Sequence, residues 1–320
     1  MIPEKLKSFI KNNEFQDLGF GNKADSKGRL LNHDGSFNLK RKGLSFQQRL
    51  SPYHWLIGIS WLHFFIIIFT LYFFINLFFA IIYYTIGEEV HLAGVIANSE
   101  IDKFLEVFFF SAQTLTTVGY GRINPISACA SAIASIEAIT GLLSFALITG
   151  ILYGRFSKPT AKILFSDNAI FAPYLHINAF MFRIANGRNN QLIEIEAQVT
   201  LSYTSKEDNN LQRRYVQLKL EREKINFFPI TWTIVHPIDK NSPLDGFSIL
   251  DLAEADAEFF IIIKAFDDTF CQTVYSRNSY KYNELLSGVK FIPNFSTDSN
   301  GATVLYLDKL NDHIPAPLNT

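Results

Sequence analysis

Charged residues are missing from two long stretches of this chain. Residues 51–87 contain no Asp, Glu, Lys or Arg, and residues 123–154 contain only one, Glu137. An apolar run of about 20 residues is long enough to cross a bilayer as a helix. The sequence therefore predicts two transmembrane helices. A signal peptide is the alternative for the first, and we discount it because about 55 residues precede the span and the apolar run is too long.

Cysteine is scarce as well. Cys129 falls in the second apolar run and Cys271 lies far downstream, so we expect no disulfide between them. The formal net charge of −1 gives no reason to expect nucleic acid binding. The sequence has no clear metal-ligand cluster, Ser/His/Asp or Cys/His arrangement, or phosphate-binding glycine loop. It therefore indicates neither an enzyme nor a bound cofactor.

Positive charges are distributed unevenly around the apolar runs. Residues 1–54 carry ten Lys or Arg, whereas residues 88–102 carry none and contain four acidic residues. Arg155, Lys158 and Lys162 follow the second run. Because Lys and Arg are enriched in cytoplasmic loops, we expect both termini in the cytoplasm. The expected location is the cell (inner) membrane, with more than one span.

Composition divides the chain into four regions. Residues 1–43 are polar and rich in turn formers, which predicts a largely flexible segment. Residues 44–57 suit an amphipathic helix on the inner leaflet, which Pro52 would separate from the first span; a plain start of that span is the alternative. Residues 58–156 form the membrane-embedded region. Residues 157–320 contain short alternating runs between turn signals, which predicts a cytoplasmic β-sandwich.

Between the two spans, a short helical pattern leads into the sequence TTVGYG at residues 116–121. Residues 102–115 are too few to cross a membrane, so we expect a re-entrant helix with Asp102 as its N-cap. Irregular backbone at membrane depth persists only where it is buried in protein or lines a polar path. Gly119 and Gly121 allow backbone angles that a side chain forbids. A loop here can therefore turn its carbonyl oxygens to one side.

The pentapeptide TVGYG is the sequence of potassium-channel selectivity filters, in which rings of backbone carbonyls replace the hydration shell of the ion. The candidate filter residues are Thr116, Thr117, Val118, Gly119, Tyr120 and Gly121. The backbone carbonyls expected to bind K⁺ are those of Thr117, Val118, Gly119 and Tyr120. Two spans in one chain cannot enclose a pore, so several copies must surround an axis. The filter family implies four copies.

From about Leu44 to Leu307 the chain resembles the inward-rectifier potassium channel family, most closely its bacterial members. The resemblance is carried by SPYHWLIGISW, FFFSAQTLTTVGYG, RFSKPTAKILFSDNA, MFRIANGRNNQLIEIEAQV, VHPIDKNSPL and YSRNSY. It implies an α+β membrane protein with a two-helix pore domain, a re-entrant pore helix and an immunoglobulin-like cytoplasmic β-sandwich. It also implies a potassium-conducting homotetramer, gated at the inner-helix crossing and in the cytoplasmic domain and modulated by anionic lipids.

The chain departs from the eukaryotic members of that family at the pore. Gln113 stands where they have the Glu of an ion pair around the filter, so that pair cannot form. Phe145 stands where strong rectifiers have an acid that holds polyamine or magnesium. An apolar ring cannot hold a polyamine by charge, so we expect weak rectification. Polyamines, magnesium and barium are the candidate blockers.

Other candidate residues lie around the pore. The candidate lipid contacts are Arg49, Arg155, Lys158 and Lys162, with simple anchoring by positive charge as the alternative. We expect Glu137 to hydrogen-bond the pore helix as a structural brace rather than to take part in permeation. By resemblance, Tyr153 falls at the inner-helix crossing, with plain packing as the alternative. Asp268 matches an acidic position of the cytoplasmic pore, or is a solvated loop acid. Gly141 and Gly150 allow a bend or close packing.

Two other functions stay open at this level. One is a two-span potassium channel with a different, ligand-regulated cytoplasmic domain, which a βαβ nucleotide-binding pattern would support; residues 157–320 show no such pattern. The other is a membrane-anchored receptor with a degenerate pore, which needs a catalytic or ligand-binding constellation.

Overall fold

The computed structural model describes residues 28–40, 42–43, 51–158, 161–207 and 210–319. Contacts divide the chain into two compact units. The helical unit is Gly43–Lys158, and the β unit is Met1–Lys42 together with Pro159–Thr320. Each unit is described by itself below.

The described part of the helical unit is built from α-helices and one short pair of strands. The helices are α1 (Pro52–Gly58), α2 (Trp61–Ile86), α3 (Glu88–His91), α4 (Glu100–Leu115) and α5 (Ala128–Phe156). The antiparallel strands are β1 (Leu92–Ala93) and β2 (Asn124–Pro125). Helices α2 and α5 have 26 and 29 residues and are apolar enough to cross a membrane. They match the two spans predicted from the sequence.

Serine residues define where the three longest helices begin. Ser60, Ser99 and Ser127 precede α2, α4 and α5, and each side-chain oxygen accepts the backbone N–H three residues further on. Helix α4 therefore begins at Glu100 and has 16 residues. The prediction that Asp102 is its N-cap is wrong. Asp102 lies in the first turn and donates its N–H to Ser99 Oγ at 3.1 Å.

Helix α1 is the described part of the predicted interfacial helix, residues 44–57; residues 44–50 lie outside the described residues. Pro52 does not separate this helix from the first span as expected. It occupies the first turn of α1, where proline fits because no N–H is needed there. The separation falls instead at Ile59, whose backbone is extended.

Helix α4 packs against both long helices of the unit. The buried residues that hold it against α2 include Phe79, Ala80 and Tyr83 of α2 and Val107 and Phe110 of α4. The rings of Tyr83 and Phe110 meet edge to face, with centroids 5.1 Å apart. This packing fixes the short helix beside the two spans, so the loop that follows α4 has a defined starting point.

The β unit contains two five-stranded sheets. In chain order, the strands of these two sheets are β3 (Ile163–Phe165), β4 (Ala169–Tyr174), β5 (Ile177–Asn186), β6 (Leu192–Glu207), β7 (Asn210–Leu218), β8 (Lys224–Phe227), β9 (Thr231–Ile238), β10 (Glu258–Asp267), β11 (Gln272–Lys281) and β12 (Leu285–Ser287). One sheet has the order β11-β10-β6-β7, with β8 also paired to β6. The other has the order β12-β4-β5-β3, with β9 also paired to β5.

The two sheets share one hydrophobic core. Phe180 of β5 stacks on Phe259 of β10 with ring centroids 4.3 Å apart, and Phe182 of β5 contacts Tyr280 of β11 at 5.7 Å. All four side chains are buried. Aromatic contacts between strands of different sheets are those of a β-sandwich, which confirms the fold predicted for this part of the chain.

The predicted flexible segment, residues 1–43, is described only from residue 28 onward, with residue 41 also outside the described residues. In the described part, Leu31 and Phe37 form an antiparallel bridge. Leu31 is buried and packs in a small cluster with Tyr215 and Phe260. This part of the segment therefore packs on β7 and β10 through a cluster of its own and differs from the expected flexible chain.

Polar contacts fasten the same segment. The guanidinium of Arg29 donates to both carboxylate oxygens of Glu284, at 2.7 and 2.9 Å. The N–H groups of Leu30 and Leu31 donate to the buried carboxylate of Glu258, at 3.2 and 3.3 Å. Burial alone would raise the pKa of Glu284, but hydrogen bonds led by that from Arg29 outweigh it and hold the pKa below its usual value. The prediction missed these contacts because their partners are distant in sequence.

Candidate functional site

The loop after α4 turns its N–H groups back toward the end of that helix. Thr117 N–H donates to the Thr114 carbonyl at 3.0 Å. Val118 and Gly119 both donate to the Gln113 carbonyl, at 2.9 and 3.3 Å. Gln113, predicted to support the filter, therefore contacts it through its backbone carbonyl.

The position of these N–H groups fixes the direction of the carbonyls. In a trans peptide the C=O points opposite to the N–H of the same unit, and none of the described peptide bonds is cis. The carbonyls of Thr116, Thr117 and Val118 share peptide units with the three N–H groups that face α4. These three oxygens therefore point away from α4. Successive backbone oxygens on one side are the arrangement that replaces the water around a dehydrated cation.

Every second residue of the loop has a positive φ angle. The values are 59° at Thr117, 52° at Gly119 and 83° at Gly121. Glycine adopts such angles without a Cβ clash, which explains two of the three positions. A β-branched residue rarely does so, and Thr117 is held there by its N–H bond to α4 and by its hydroxyl, which donates to the Thr116 carbonyl at 2.7 Å. Strained backbone of this kind is concentrated at functional sites.

Glu137 of α5 is fully buried and joins three helices. Its carboxylate accepts a hydrogen bond from the Tyr83 hydroxyl of α2 at 2.8 Å and another from the Ser111 hydroxyl of α4. The Ser111 hydroxyl also lies 3.2 Å from the Asn76 carbonyl of α2. The expected hydrogen bond between Glu137 and the pore helix is present, while the absence of a permeation role stays a prediction. Sequence reasoning missed Tyr83, Ser111 and Asn76, although polar groups inside apolar helices are a usable signal.

Two glycines of α5 have different surroundings. A Cβ added at Gly141 would lie 1.8 Å from the Leu115 carbonyl oxygen, the last residue of α4. A Cβ added at Gly150 would meet nothing within 4 Å. Gly141 therefore serves close packing against the end of the pore helix, one of the two roles left open by the sequence.

A cavity of about 490 Å³ lies between α2, the start of the loop and α5. Its lining includes Thr116, Thr117, Leu142 and Phe145. Phe145 thus lies beside the first residues of the loop. Tyr153 is about two helical turns further along α5. The side chains of Phe145 and Tyr153 are 71% and 73% exposed in the single chain, so both face lipid, a pore or another copy of the chain.

Arg155, predicted as a lipid contact, is turned toward the protein. Its guanidinium donates to the carbonyls of Leu56 and Ile59, the latter at 2.8 Å. It also lies over the rings of Trp61 and Phe64, 4.5 and 4.6 Å from their centroids. These contacts tie the end of α5 to α1 and to the start of α2.

The other basic candidates are placed differently. Lys158 and Lys162 are exposed, the first in the helical unit and the second in the β unit. Arg49 lies outside the described residues. Their contacts with lipid stay predictions.

Asp268 lies in the turn between β10 and β11, and its side chain is exposed. The turn is fixed by its neighbour Asp267, which sequence reasoning missed. The buried carboxylate of Asp267 accepts the N–H groups of Thr269 and Phe270, at 3.0 and 3.3 Å, and the amide of Asn190 at 2.7 Å. Asp267 thus has a structural role, and Asp268 is presented at the surface of the β unit.

An ion pair lies beside the loop, but not at Gln113. Arg122, which directly follows Gly121, pairs with Glu106 of α4. Sequence reasoning considered only the position of Gln113 and so missed it. A signal was available, because Arg122 is the one charged residue between positions 107 and 136.

The helical unit thus places a short helix between two membrane-length helices, and a loop with aligned carbonyls follows the short helix. These features define a pore-forming subunit of a membrane ion channel. Among the residues that the structure describes, no group of three or more His, Cys, Asp or Glu side chains is placed to hold a metal ion.

Comparisons with known proteins agree with this class. A family model described as "Ion channel" matches residues 59–158, and one described as "Inward rectifier potassium channel C-terminal domain" matches residues 163–317. The chain is 34% identical over 288 residues to the inward rectifier potassium channel Kirbac3.1 of Paramagnetospirillum magnetotacticum. This match covers 89% of this chain and 96% of that protein. The chain belongs to the inward-rectifier potassium channel family.

Mammalian relatives match a shorter part. The mouse and human proteins named ATP-sensitive inward rectifier potassium channel 14 are each 30% identical over 205 residues, or 61% of this chain. The chain matches 47% of the length of each of these two relatives.

Proposed function

We propose that this chain is one subunit of a homotetrameric, potassium-selective channel of the cell membrane, with both termini in the cytoplasm. The observation that carries the proposal is the set of carbonyls of Thr116, Thr117 and Val118 that point away from α4. Four copies around an axis would stack these oxygens into rings. Such rings bind a cation that has lost its water.

Two further features favour a cation at this place. The positive φ angles of Gly119 and Gly121 continue the alternation beyond Val118, so the carbonyls of Gly119 and Tyr120 extend the same series of K⁺ ligands. The C-terminal end of α4 carries the negative end of the helix dipole, and the loop begins there. Potassium ions in the filter are the transported substrate, and the chain needs no other cofactor in this role.

The gate and the rectification depend on α5. Phe145 lines the cavity beside Thr116 and Thr117, and its ring offers no charge to a polyamine or to magnesium. The channel is therefore weakly rectifying. Tyr153 lies at the inner-helix crossing, where bulky side chains narrow the path and exclude water. In the β unit, the exposed Asp268 contributes an acid to the cytoplasmic part of the path.

Anionic lipid acts through fewer residues than the sequence predicted. Lys158 and Lys162 are the exposed basic candidates, and each is worth about 1 kcal/mol near an anionic surface. Arg155 binds the carbonyls of Leu56 and Ile59 instead, and these contacts favour a structural role over a lipid contact. The lipid effect is correspondingly modest.

The test is ion flux in liposomes that contain the purified full-length chain. We expect potassium flux that barium blocks, with little sodium flux. The matched variants are Gly119→Ala and Gly301→Ala. Both glycines have positive φ, at 52° and 82°, and a Cβ at either meets nothing within 4 Å. Both variants strain the backbone, but only Gly119→Ala does so in the filter and should abolish selective flux. A well-folded tetramer without barium-sensitive potassium flux would overturn the proposal.

A further inference from the structure

The ion pair between Glu106 and Arg122 closes a hairpin made by α4 and the filter. At one end of this hairpin, the N–H groups of Val118 and Gly119 bind the Gln113 carbonyl. At the other end, the guanidinium of Arg122 binds the carboxylate of Glu106. The filter residues between these two points are therefore held against α4 at both ends.

The lengths of the two arms agree. Glu106 and Gln113 are seven residues apart on α4, which is about 10 Å at 1.5 Å per residue. Val118–Gly119 and Arg122 are three to four residues apart, which is also about 10 Å of nearly extended chain at roughly 3 Å per residue. The ion pair can form only while the filter runs back along α4 at this length. A collapsed or displaced filter would separate the two side chains.

Arg122 is also fixed through its backbone. A Cβ at Gly94 would lie 1.9 Å from the Arg122 carbonyl oxygen, so the chain after β1 presses directly on this residue. Strand β2 begins two residues later and pairs with β1. The side chain of Arg122 is 51% exposed and that of Glu106 is 24% exposed. The backbone contacts place Arg122 at the end of the filter, and the ion pair links it to the pore helix.

We propose that Glu106 and Arg122 are positioning residues that hold the Gly121 end of the filter at the spacing required for ion selection. This inference rests on the proposed channel function. It assigns to these two side chains the support that Gln113 cannot give by charge. The pair does not contact the ion, and acts through the position of the filter backbone.

The experiment is a double-mutant cycle in liposomes with Glu106→Gln, Arg122→Gln and the double variant. The readout is the ratio of potassium to sodium flux, measured beside the thermal stability of the tetramer. Each single variant should lower the ratio about two- to fivefold, the effect that a partly exposed ion pair supports. The double variant should be no worse than either single one, because the interaction is already lost. Arg122→Lys keeps the charge and should recover part of the ratio.

The direction of the effects separates positioning from simple electrostatics. If the two charges acted on the ion through space, removing the acid and removing the base would change the total cation flux in opposite directions. Because K⁺ and Na⁺ both carry one positive charge, such changes would leave the flux ratio nearly unchanged. If they position the filter, both changes lower it. The control is Lys103→Gln on the same helix, which breaks ion pairs with Glu89 and Glu100, at 2.9 and 3.4 Å, away from the filter. It should leave the flux ratio unchanged.

Other outcomes would overturn the inference. The inference is wrong if the parent conducts potassium and any of three results is found. These are opposite changes of flux in the two single variants, additive losses of the flux ratio in the double variant, or unchanged flux ratios in all three variants. A parent protein without barium-sensitive flux would instead overturn the proposed channel function itself. If Arg122→Gln does not assemble, Arg122→Lys and Glu106→Asp are compared with the parent instead. A lower flux ratio in both variants would support the inference, and unchanged ratios would overturn it.

Discussion

Replacing Gly141 with Ala tests how closely the second span must approach the pore helix. The added Cβ would lie 1.8 Å from the Leu115 carbonyl oxygen, whereas ordinary contact begins at 3.4 Å. The two backbones must therefore separate by about 1.6 Å, the difference between these values. The obstacle is a main-chain carbonyl, which cannot rotate away as a side chain does. Leu115 directly precedes the filter, so the displacement is passed to Thr116.

The energetic cost follows from this geometry. Overpacking of a filled interior costs about 1–3 kcal/mol, and a backbone neighbour places this variant near about 3 kcal/mol per subunit. We expect the melting temperature of the tetramer to fall by at least about 5 °C. Potassium selectivity should fall as well, because the shift reaches the first filter residue. The measurements are thermal unfolding monitored by size-exclusion chromatography, and potassium and sodium flux.

Gly150→Ala is the matched control on the same helix. Its Cβ meets nothing within 4 Å, and Ala favours a helix over Gly by about 1 kcal/mol. This variant should be as stable as the parent or slightly more so. If Gly141→Ala melted and conducted as the parent does, the close approach of α5 to Leu115 would not be required, and the packing argument would be wrong.

Two further predictions concern pH and block. Burial lowers the pKa of His236, so below pH 6.5 the unfolded chain takes up a proton that the folded ring resists. The parent should therefore lose stability as the pH falls below 6.5, and His236→Gln should lack that part of the pH dependence. The measurement is thermal unfolding of both proteins as a function of pH. An equal loss of stability in both proteins would contradict the prediction. Internal spermine should block outward current of the parent only weakly, and Phe145→Glu should strengthen that block in membrane-current recordings. Strong block of the parent that disappears when Phe145 is replaced would refute the argument.

The sequence predicted the elements whose signals are local. Long uncharged runs are sufficient to find α2 and α5, because the bilayer sets the length that a span must have. Alternation and turn residues are sufficient for the sandwich. The filter was found because its residues are contiguous. The N-cap of α4 was misplaced because Ser99 and Asp102 are both good caps, and the choice depends on which N–H the cap reaches.

The partners of several side chains were not predictable, even where the side chain itself stood out in the sequence. The charge of Arg155 indicates a side of the membrane, but not that its guanidinium turns inward to the Leu56 carbonyl. The pairing of Arg122 with Glu106 appears only once the filter reverses along α4. The docking of residues 28–40 depends on Glu258 and Glu284, which follow more than 200 residues later. In each case the sequence contained the residue type, and only the fold determined its partner.

The contact between Arg29 and Glu284 spans 255 positions of the chain. Its two partners are therefore made far apart in time. At about 5–20 residues per second, a ribosome needs roughly 10–50 s to pass from one to the other. Both membrane-length helices lie between them and are synthesised during that interval. The N-terminal part of the β unit thus has to wait until both helices have left the ribosome, and completing this unit is among the last steps in the biogenesis of the subunit.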